Sequence, residues 1–338
     1  MSLVAASFHA SSESAIDPAC RFGHSHHALE SVAEQGILPC ALALKHAGAR
    51  DVAVRWELSG PAQAPILIVA GGISATRHVL ANDSDRTDGW WQAQANFLRR
   101  YRVLAIDWLG DGDGLDAPID SADQADAIAS VLDALGIAKV RAFVGASYGA
   151  MVGLQFAARY SHRLSALVAI SGAHRSHPWS SALRSIQRKI VELGGLQCDD
   201  GHGLALARQL AMLSYRTPQE FAERFAEAVT VEGARAVCPA EGYLEACGQR
   251  AITRFDATAY RRLSESIDLH RVEPEAVHVP LSVIAIDSDQ LVPSEDLAEL
   301  AVRAPDAWLH LVSSRYGHDA FLKETAAITA ALNDALDA

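Results

Sequence analysis

The chain has 338 residues, 50% hydrophobic, 21% charged and 7% aromatic, the balance of a globular protein rather than of a disordered, fibrous or membrane-spanning one. With 29 Lys and Arg against 41 Asp and Glu the net charge is −12, and no basic stripe runs along it, which argues against nucleic acid as a partner. The five cysteines (Cys20, Cys40, Cys198, Cys238 and Cys247) are scattered and never spaced as C-x-x-C, so they read as reduced thiols, with neither a disulfide frame nor a metal site.

The first residues lack a basic segment followed by an apolar one, and they contain Glu13 and Asp17; no signal peptide is expected. No apolar run approaches the roughly 18 residues needed to span a bilayer. A soluble, cytoplasmic protein is expected. Residues 1–40, rich in Ala, Ser and His and without periodicity, are expected to form a flexible leader. Its His24, His26 and His27 have no Cys or carboxylate at ligand spacing and read as a polar tail, not a metal site.

From residue 51 the pattern turns regular. Val52 to Leu58 alternates as a strand, Pro65 to Ala70 reads as a buried strand, and Trp90 to Arg100 has helical spacing. Val103 to Ile106 is a strand, Ser121 to Leu135 a helix capped by Ser121 and ended by Gly136, and Val140 to Val144 another buried strand. Short apolar strands alternating with helices specify a mostly parallel sheet with helices on both faces. After Leu167 to Ile170 the alternation stops. Residues 174–262 carry only helical patterns, such as Ser180 to Leu193, Leu204 to Leu213 and Pro218 to Ala228, which predicts an all-helical cap. Strands return at Leu281 to Ile286 and Trp308 to Val312, and a helix from Ala320 to Leu336 closes the chain. The α/β core is therefore expected to comprise residues 41–173 and 263–338.

One motif carries chemistry. Gly145-Ala146-Ser147-Tyr148-Gly149 lies between a buried strand and a helical run, the setting in which G-x-S-x-G forms a nucleophile elbow that exposes the serine hydroxyl at a helix N-terminus. A serine hydroxyl is a weak nucleophile, so the elbow calls for a carboxylate and a histidine later in the chain. Asp289 follows the strand ending at Ile286, and His318 follows the strand ending at Val312. Parallel strands put the loops after them on one sheet edge, so the three converge. Asp287 is the alternative acid; Asp289, just before Leu-Val-Pro, is preferred. An oxyanion hole would take the backbone N–H of Tyr148 and, after Gly71-Gly72, of Ile73. Gly110-Asp-Gly-Asp-Gly114 lacks the Lys-Ser/Thr of a phosphate loop and the Glu that closes a calcium loop, and reads as a plain loop.

Further pieces carry a resemblance: Gly89-Trp90-Trp91, Leu135-Gly136-Ile137, Gly145 to Met151 with Leu154-Gln155, Leu206-Ala-Arg208 followed by Ser214-Tyr215-Arg216, Ser288-Asp289-Gln-Leu, and Gly317 to Leu322. In this order the chain resembles the homoserine O-acyltransferase family of the α/β-hydrolase superfamily. That resemblance implies the α/β-hydrolase fold with a helical cap. It also implies ping-pong transfer of an acetyl or succinyl group from acyl-coenzyme A to homoserine, in methionine biosynthesis, without a cofactor. Ala146 and Tyr148 depart from the Gly and Met or Leu usual in the family, and Ala-Gly-Gly-Ile-Ser replaces its His-Ala-Leu-Thr/Ser-Gly loop. The acyl group, and homoserine or serine as acceptor, stay open.

An amino-acid acceptor carries an ammonium and a carboxylate, which call for an acid and an Arg near the base. Asp319 and Arg208, with Tyr215, are the candidates. Asp319 reads equally as a helix N-cap, and Arg208 as a surface cation. An esterase with the same triad is the competing reading, and a homodimer through the cap is expected, as the family resemblance implies.

Overall fold

The computed structural model describes residues 33–196 and 200–337. His24, His26, His27, Cys20, Cys198 and most of the expected leader lie outside them. An eight-stranded sheet organises the rest, in the order β1-β2-β4-β3-β5-β6-β9-β10. The strands are β1 (Glu34–Leu44), β2 (Gly48–Ser59), β3 (Ile66–Ala70), β4 (Arg102–Ile106), β5 (Ala142–Ala146), β6 (Leu167–Ile170), β9 (Leu281–Ile286) and β10 (Ala307–Val312). β1 and β2 pair antiparallel and β2 joins β4 antiparallel, while every other neighbouring pair is parallel. Alternation explains how one sheet serves two layers. Ile68 and Ala70 of β3 and Phe143 of β5 pack into one core cluster, and Leu67 and Val69 with Ala142, Val144 and Ala146 into the other.

The helices of the core are α1 (Ala95–Leu98), α2 (Ser121–Ala134), α3 (Tyr148–Arg159), α9 (Ser294–Arg303), α10 (Ala320–Lys323) and α11 (Thr325–Asp337). Several boundaries differ from expectation. Trp90 and Trp91 precede α1 rather than joining it, their rings stacked with centroids 5.2 Å apart. The cap of α2 is Asp120, not Ser121: its carboxylate accepts from Ala122 N while Asp123 reaches back to the Asp120 N–H, the reciprocal arrangement of a capping box. The β5 strand is Ala142–Ala146, and Val140 makes only an isolated bridge to Leu164. The final helix breaks after Lys323.

The core begins earlier than residue 41. β1 starts at Glu34, within the expected leader, and pairs along its whole length with β2. It is an edge strand burying only Leu42 and Leu44, and its exposed positions Ile37, Ala41 and Ala43 are apolar too, so the apolar–polar alternation that reveals a strand is missing from its sequence.

Between β6 and β9 lies the cap: α4 (Pro178–Leu196), α5 (Asp200–Tyr215), α6 (Pro218–Arg224), β7 (Thr230–Glu232), β8 (Arg235–Val237), α7 (Glu241–Arg254) and α8 (Ala257–Leu269). It is not all-helical. β7 and β8 form an antiparallel hairpin, three residues per strand and almost entirely exposed, too short and too polar to leave a period in the sequence. Nor does the cap end at 262, which falls inside α8. Among the described residues no helix is long and apolar enough to cross a membrane, and no cluster of three His, Cys, Asp or Glu could hold a metal.

Candidate active site

Ser147 stands at the turn between β5 and α3 with φ 55° and ψ −120°, a backbone conformation that costs a non-glycine residue energy and persists only where its surroundings enforce it. They do. Its N–H donates to Ile170 O at 2.8 Å, and Gly149 N–H to Gly71 O at 2.8 Å. A Cβ at Gly145 would lie 2.3 Å from Gly149 O, and one at Gly149 would lie 2.2 Å from Ala70 O. The two glycines of the motif are thus demanded by backbone passing backbone.

Three strand ends bring the polar side chains together. His318 Nε2 lies 2.7 Å from Ser147 Oγ, and its Nδ1 lies 2.7 Å from Asp289 Oδ2. With Nδ1–H donating to the carboxylate, Nε2 is left as acceptor for the serine proton. The other oxygen of Asp289 accepts from Leu291 N at 2.8 Å and Val292 N at 3.1 Å, so the residues that follow it lock its orientation. Asp287, the alternative acid, accepts from Ser314 N at 3.0 Å and braces the loop after β10 instead. Burial of His318 disfavours its cation, but the charge and hydrogen bond of Asp289, helped by Asp319, outweigh this and raise its pKa above 6.5.

The relay opens into a cavity of about 410 Å³ beneath the cap, whose walls include Gly72, Ile73, Ser147, Tyr148 and His318. Tyr148 sends its buried side chain away from the elbow, its hydroxyl 2.6 Å from Ser266 Oγ on α8. Arg208, Tyr215 and Asp319 line the cavity too. The Arg208 guanidinium stacks over the Tyr215 ring at 5.0 Å, and that ring lies 5.8 Å from the His318 ring. Arg208 therefore faces the site and is not a cation of the outer cap surface. Asp319 precedes α10 without a side-chain capping bond, so the N-cap reading fails. Its carboxylate is instead paired with Arg216, Nε to Oδ2 3.0 Å. Burial raises its pKa, against the lowering pull of Arg216, His318 and Arg208.

Sequence reasoning missed three features. Arg216 was only part of the family pattern, yet it links Asp319 to Glu220 on α6 (2.6 Å). Ser171, just after β6, has φ 49° and a buried hydroxyl without a partner among the described residues, and it lines the cavity with Ser147; nothing in its local sequence signals this. The cavity wall also carries Arg184, Arg250 and Arg254. Arg184 pairs with Asp268, and Arg254 with Asp111 of the Gly110–Gly114 loop, which is a latch to the cap. Arg208 and Arg250 have no carboxylate within ion-pair distance among the described residues.

A strained serine after the fifth strand, with acid and histidine from later loops at the same sheet edge, defines an α/β-hydrolase-type enzyme. The alpha/beta hydrolase fold family matches residues 65–325. A homoserine O-succinyltransferase of Xanthomonas campestris pv. campestris is 52% identical over 310 residues, 90% of this chain and 84% of that protein. A homoserine O-acetyltransferase of Chlorobium chlorochromatii is 30% identical over 299 residues, covering 77% of this chain and 84% of that protein. The crystal structure of homoserine O-acetyltransferase from Bacillus anthracis superposes with a TM-score of 0.81 at 17% identity, covering 91% of this chain and 98% of that one, a likeness of fold. Within the α/β-hydrolase superfamily the chain belongs to the homoserine O-acyltransferase family, and it is an acyltransferase.

Proposed function

We propose that the protein moves a succinyl group from succinyl-coenzyme A to the hydroxyl of homoserine by a ping-pong route through Ser147, a step of methionine biosynthesis. The observation that carries the chemistry is the continuous relay Asp289–His318–Ser147, 2.7 Å at each link, opening into one cavity. Neutral His318 takes the Ser147 proton as Oγ attacks the thioester carbonyl. The N–H groups of Ile73 and Tyr148 receive the oxyanion, and the imidazolium then protonates the departing thiolate of coenzyme A. In the second half-reaction His318 deprotonates the acceptor hydroxyl, which attacks the acyl-serine; the bond from Ser147 Oγ to the acyl carbon then breaks, the imidazolium returns the proton to Oγ, and the ester leaves. Asp289 holds the imidazole in the required tautomer throughout.

Arg208, free of a carboxylate partner among the described residues and stacked on Tyr215, is the group for the acceptor carboxylate. Asp319 is the group for its ammonium, its Arg216 partner fixing the carboxylate in place. The similarity to the succinyltransferase and the arginines of the cavity wall, suited to an acyl group with a second carboxylate, favour succinyl over acetyl. No cofactor is needed, only the acyl-coenzyme A co-substrate.

The test is coenzyme A release from succinyl- and acetyl-coenzyme A with homoserine, with serine and with neither. Succinyl transfer to homoserine should dominate. Fast release without an acceptor would make the protein a hydrolase, and a preference for serine or acetyl would redefine the acceptor or donor.

The cap also presents apolar side chains to solvent at seven-residue spacing, Trp179, Ile186 and Leu193 on α4 and Leu206 and Leu213 on α5. That stripe supports pairing of two copies through the cap.

A further inference from the structure

The two N–H groups assigned above to the oxyanion sit on different segments, the loop after β3 and the start of α3, and one aromatic pair, Trp108 with Tyr148, links them. Trp108, 3% exposed on the loop after β4, donates its indole Nε1–H to the carbonyl of Gly72 at 3.0 Å. That carbonyl belongs to the peptide unit whose N–H is that of Ile73. In a trans peptide the C=O and N–H point in opposite directions. Holding the oxygen toward the core therefore turns the Ile73 N–H away from it, to the side where Gly72, Ile73 and Ser147 face the cavity.

The restraint is needed because Gly72 offers little resistance to rotation of this peptide; a Cβ there would meet nothing within 4 Å. Two hydrogen bonds hold its oxygen, one from Ala75 N within the turn at 2.9 Å and the other from Trp108. The indole is itself fixed. The Tyr148 ring stands edge-on to it, centroids 5.0 Å apart and planes at 73°, and the Tyr148 hydroxyl is 2.6 Å from Ser266 Oγ of α8. Tyr148 is the residue whose own N–H is the second donor. One chain of contacts, Ser266 to Tyr148 to Trp108 to Gly72, thus spans both donors.

We propose that Trp108 is a positioning residue for acyl transfer, locking the Gly72–Ile73 peptide so that its N–H is in place before the tetrahedral intermediate forms. Tyr148, tied to the cap through Ser266, keeps the indole in register with the second donor. The inference rests on the oxyanion assignment made under the proposed function. It adds that the cap helix α8, through Ser266, supports the hole by way of Tyr148.

The experiment replaces the donor and keeps the ring. Trp108→Phe retains an aromatic edge for Tyr148 but has no N–H. Loss of one oxyanion donor costs on the order of 10²- to 10³-fold in kcat, and loosening one that keeps its Ala75 bond should cost about tenfold. KM for both substrates should change by less than about twofold, because the contact acts on the transition state and not on bound substrate. Acylation and deacylation, followed separately in single turnovers, should slow by similar factors, since an oxyanion forms in each. The acid limb of the pH profile should not move, because His318 is untouched. Incorporating 3-benzothienylalanine at position 108, which keeps the shape of the indole and lacks its N–H, should reproduce the loss and guards against a folding defect in Trp108→Phe. A folded variant of either kind with kcat within about twofold of the parent, or one that loses only KM or only one half-reaction, overturns the proposal. Failure of the parent enzyme to acylate Ser147 would instead overturn the mechanism on which it rests, so the two failures are told apart.

Discussion

In the sheet, β5 and β6 are buried at every residue, whereas of the 19 residues of α4 in the cap only Ser180, Gln187, Val191 and Gly194 are buried. The two regions meet the site with different chemistry. The sheet supplies Ser147 and Asp289 beyond the ends of the buried strands β5 and β9, where a displaced backbone would open a void or force a clash, and the buried His318 from the loop after the edge strand β10. The cap and its borders supply arginines and an acid network, Arg184 with Asp268, Arg254 with Asp111, and Arg216 with Asp319 and Glu220. Rigid packing holds the reacting atoms to within the tolerance that catalysis demands. Charged side chains on less buried helices can be exchanged without disturbing the core, and the proposed function gives them the selection of what is bound.

The largest break in this division should come from the core. Ser147→Ala and His318→Ala should each lower kcat by about 10⁴-fold or more while leaving the melting temperature near that of the parent. Asp289→Asn should cost about 10³- to 10⁴-fold, whereas Asp287→Asn should cost less than about tenfold, since it serves the loop and not the imidazole. Steady-state kinetics with calorimetric melts would check all four, and a more damaging Asp287→Asn would exchange the two acids.

Next in size is the border of the cap. Arg208→Ala should remove about 2–4 kcal/mol from transfer to homoserine, roughly 30- to 1,000-fold, because it deletes one charged contact to the acceptor. Acylation of Ser147 should persist.

A smaller effect follows from pH. His318 must be neutral to accept the serine proton, and its pKa lies above 6.5 because the Asp289 charge outweighs burial. The acid limb of kcat/KM should therefore have its midpoint above pH 6.5, with activity falling about tenfold per unit well below it. A midpoint at or under 6.5 in a pH–rate profile would contradict the electrostatic account.

Smallest should be the effect of separating two copies. Ile186→Glu with Leu193→Glu places charge in the exposed stripe of α4 and should convert a dimer to a monomer by light scattering. Activity should drop by less than about tenfold, since none of the relay residues lies on α4. A parent that is already monomeric would remove pairing through the cap.

What could be read from the sequence follows the same division. Strands buried on both faces, such as Leu281–Ile286, are continuous apolar runs and were legible; so was Ser147, because two glycines are forced by its turn. β1 was not, since its exposed positions, among them Ile37, Ala41 and Ala43, are apolar as well and erase the alternation expected of an edge strand half in water. The roles of Arg216, Ser171 and Trp108 were not legible either. Arg216 and Trp108 act through residues distant in the chain, Asp319 and Gly72, and Ser171 is marked only by its place in the cavity wall; no local pattern records either. Asp319 shows the middle case: its place beside His318 was evident, but not that Arg216 would pair with it.

The division between chemistry in the core and selection in the cap is tested most directly by separating the half-reactions. Mixing Arg208→Ala enzyme with succinyl-coenzyme A and measuring intact mass should show a succinyl group on the peptide bearing Ser147, formed at close to the parental rate. Adding homoserine should discharge the parent's adduct promptly and the variant's slowly. An adduct on another residue, or none, would contradict the nucleophile; equal discharge by parent and variant would contradict the role given to the cap.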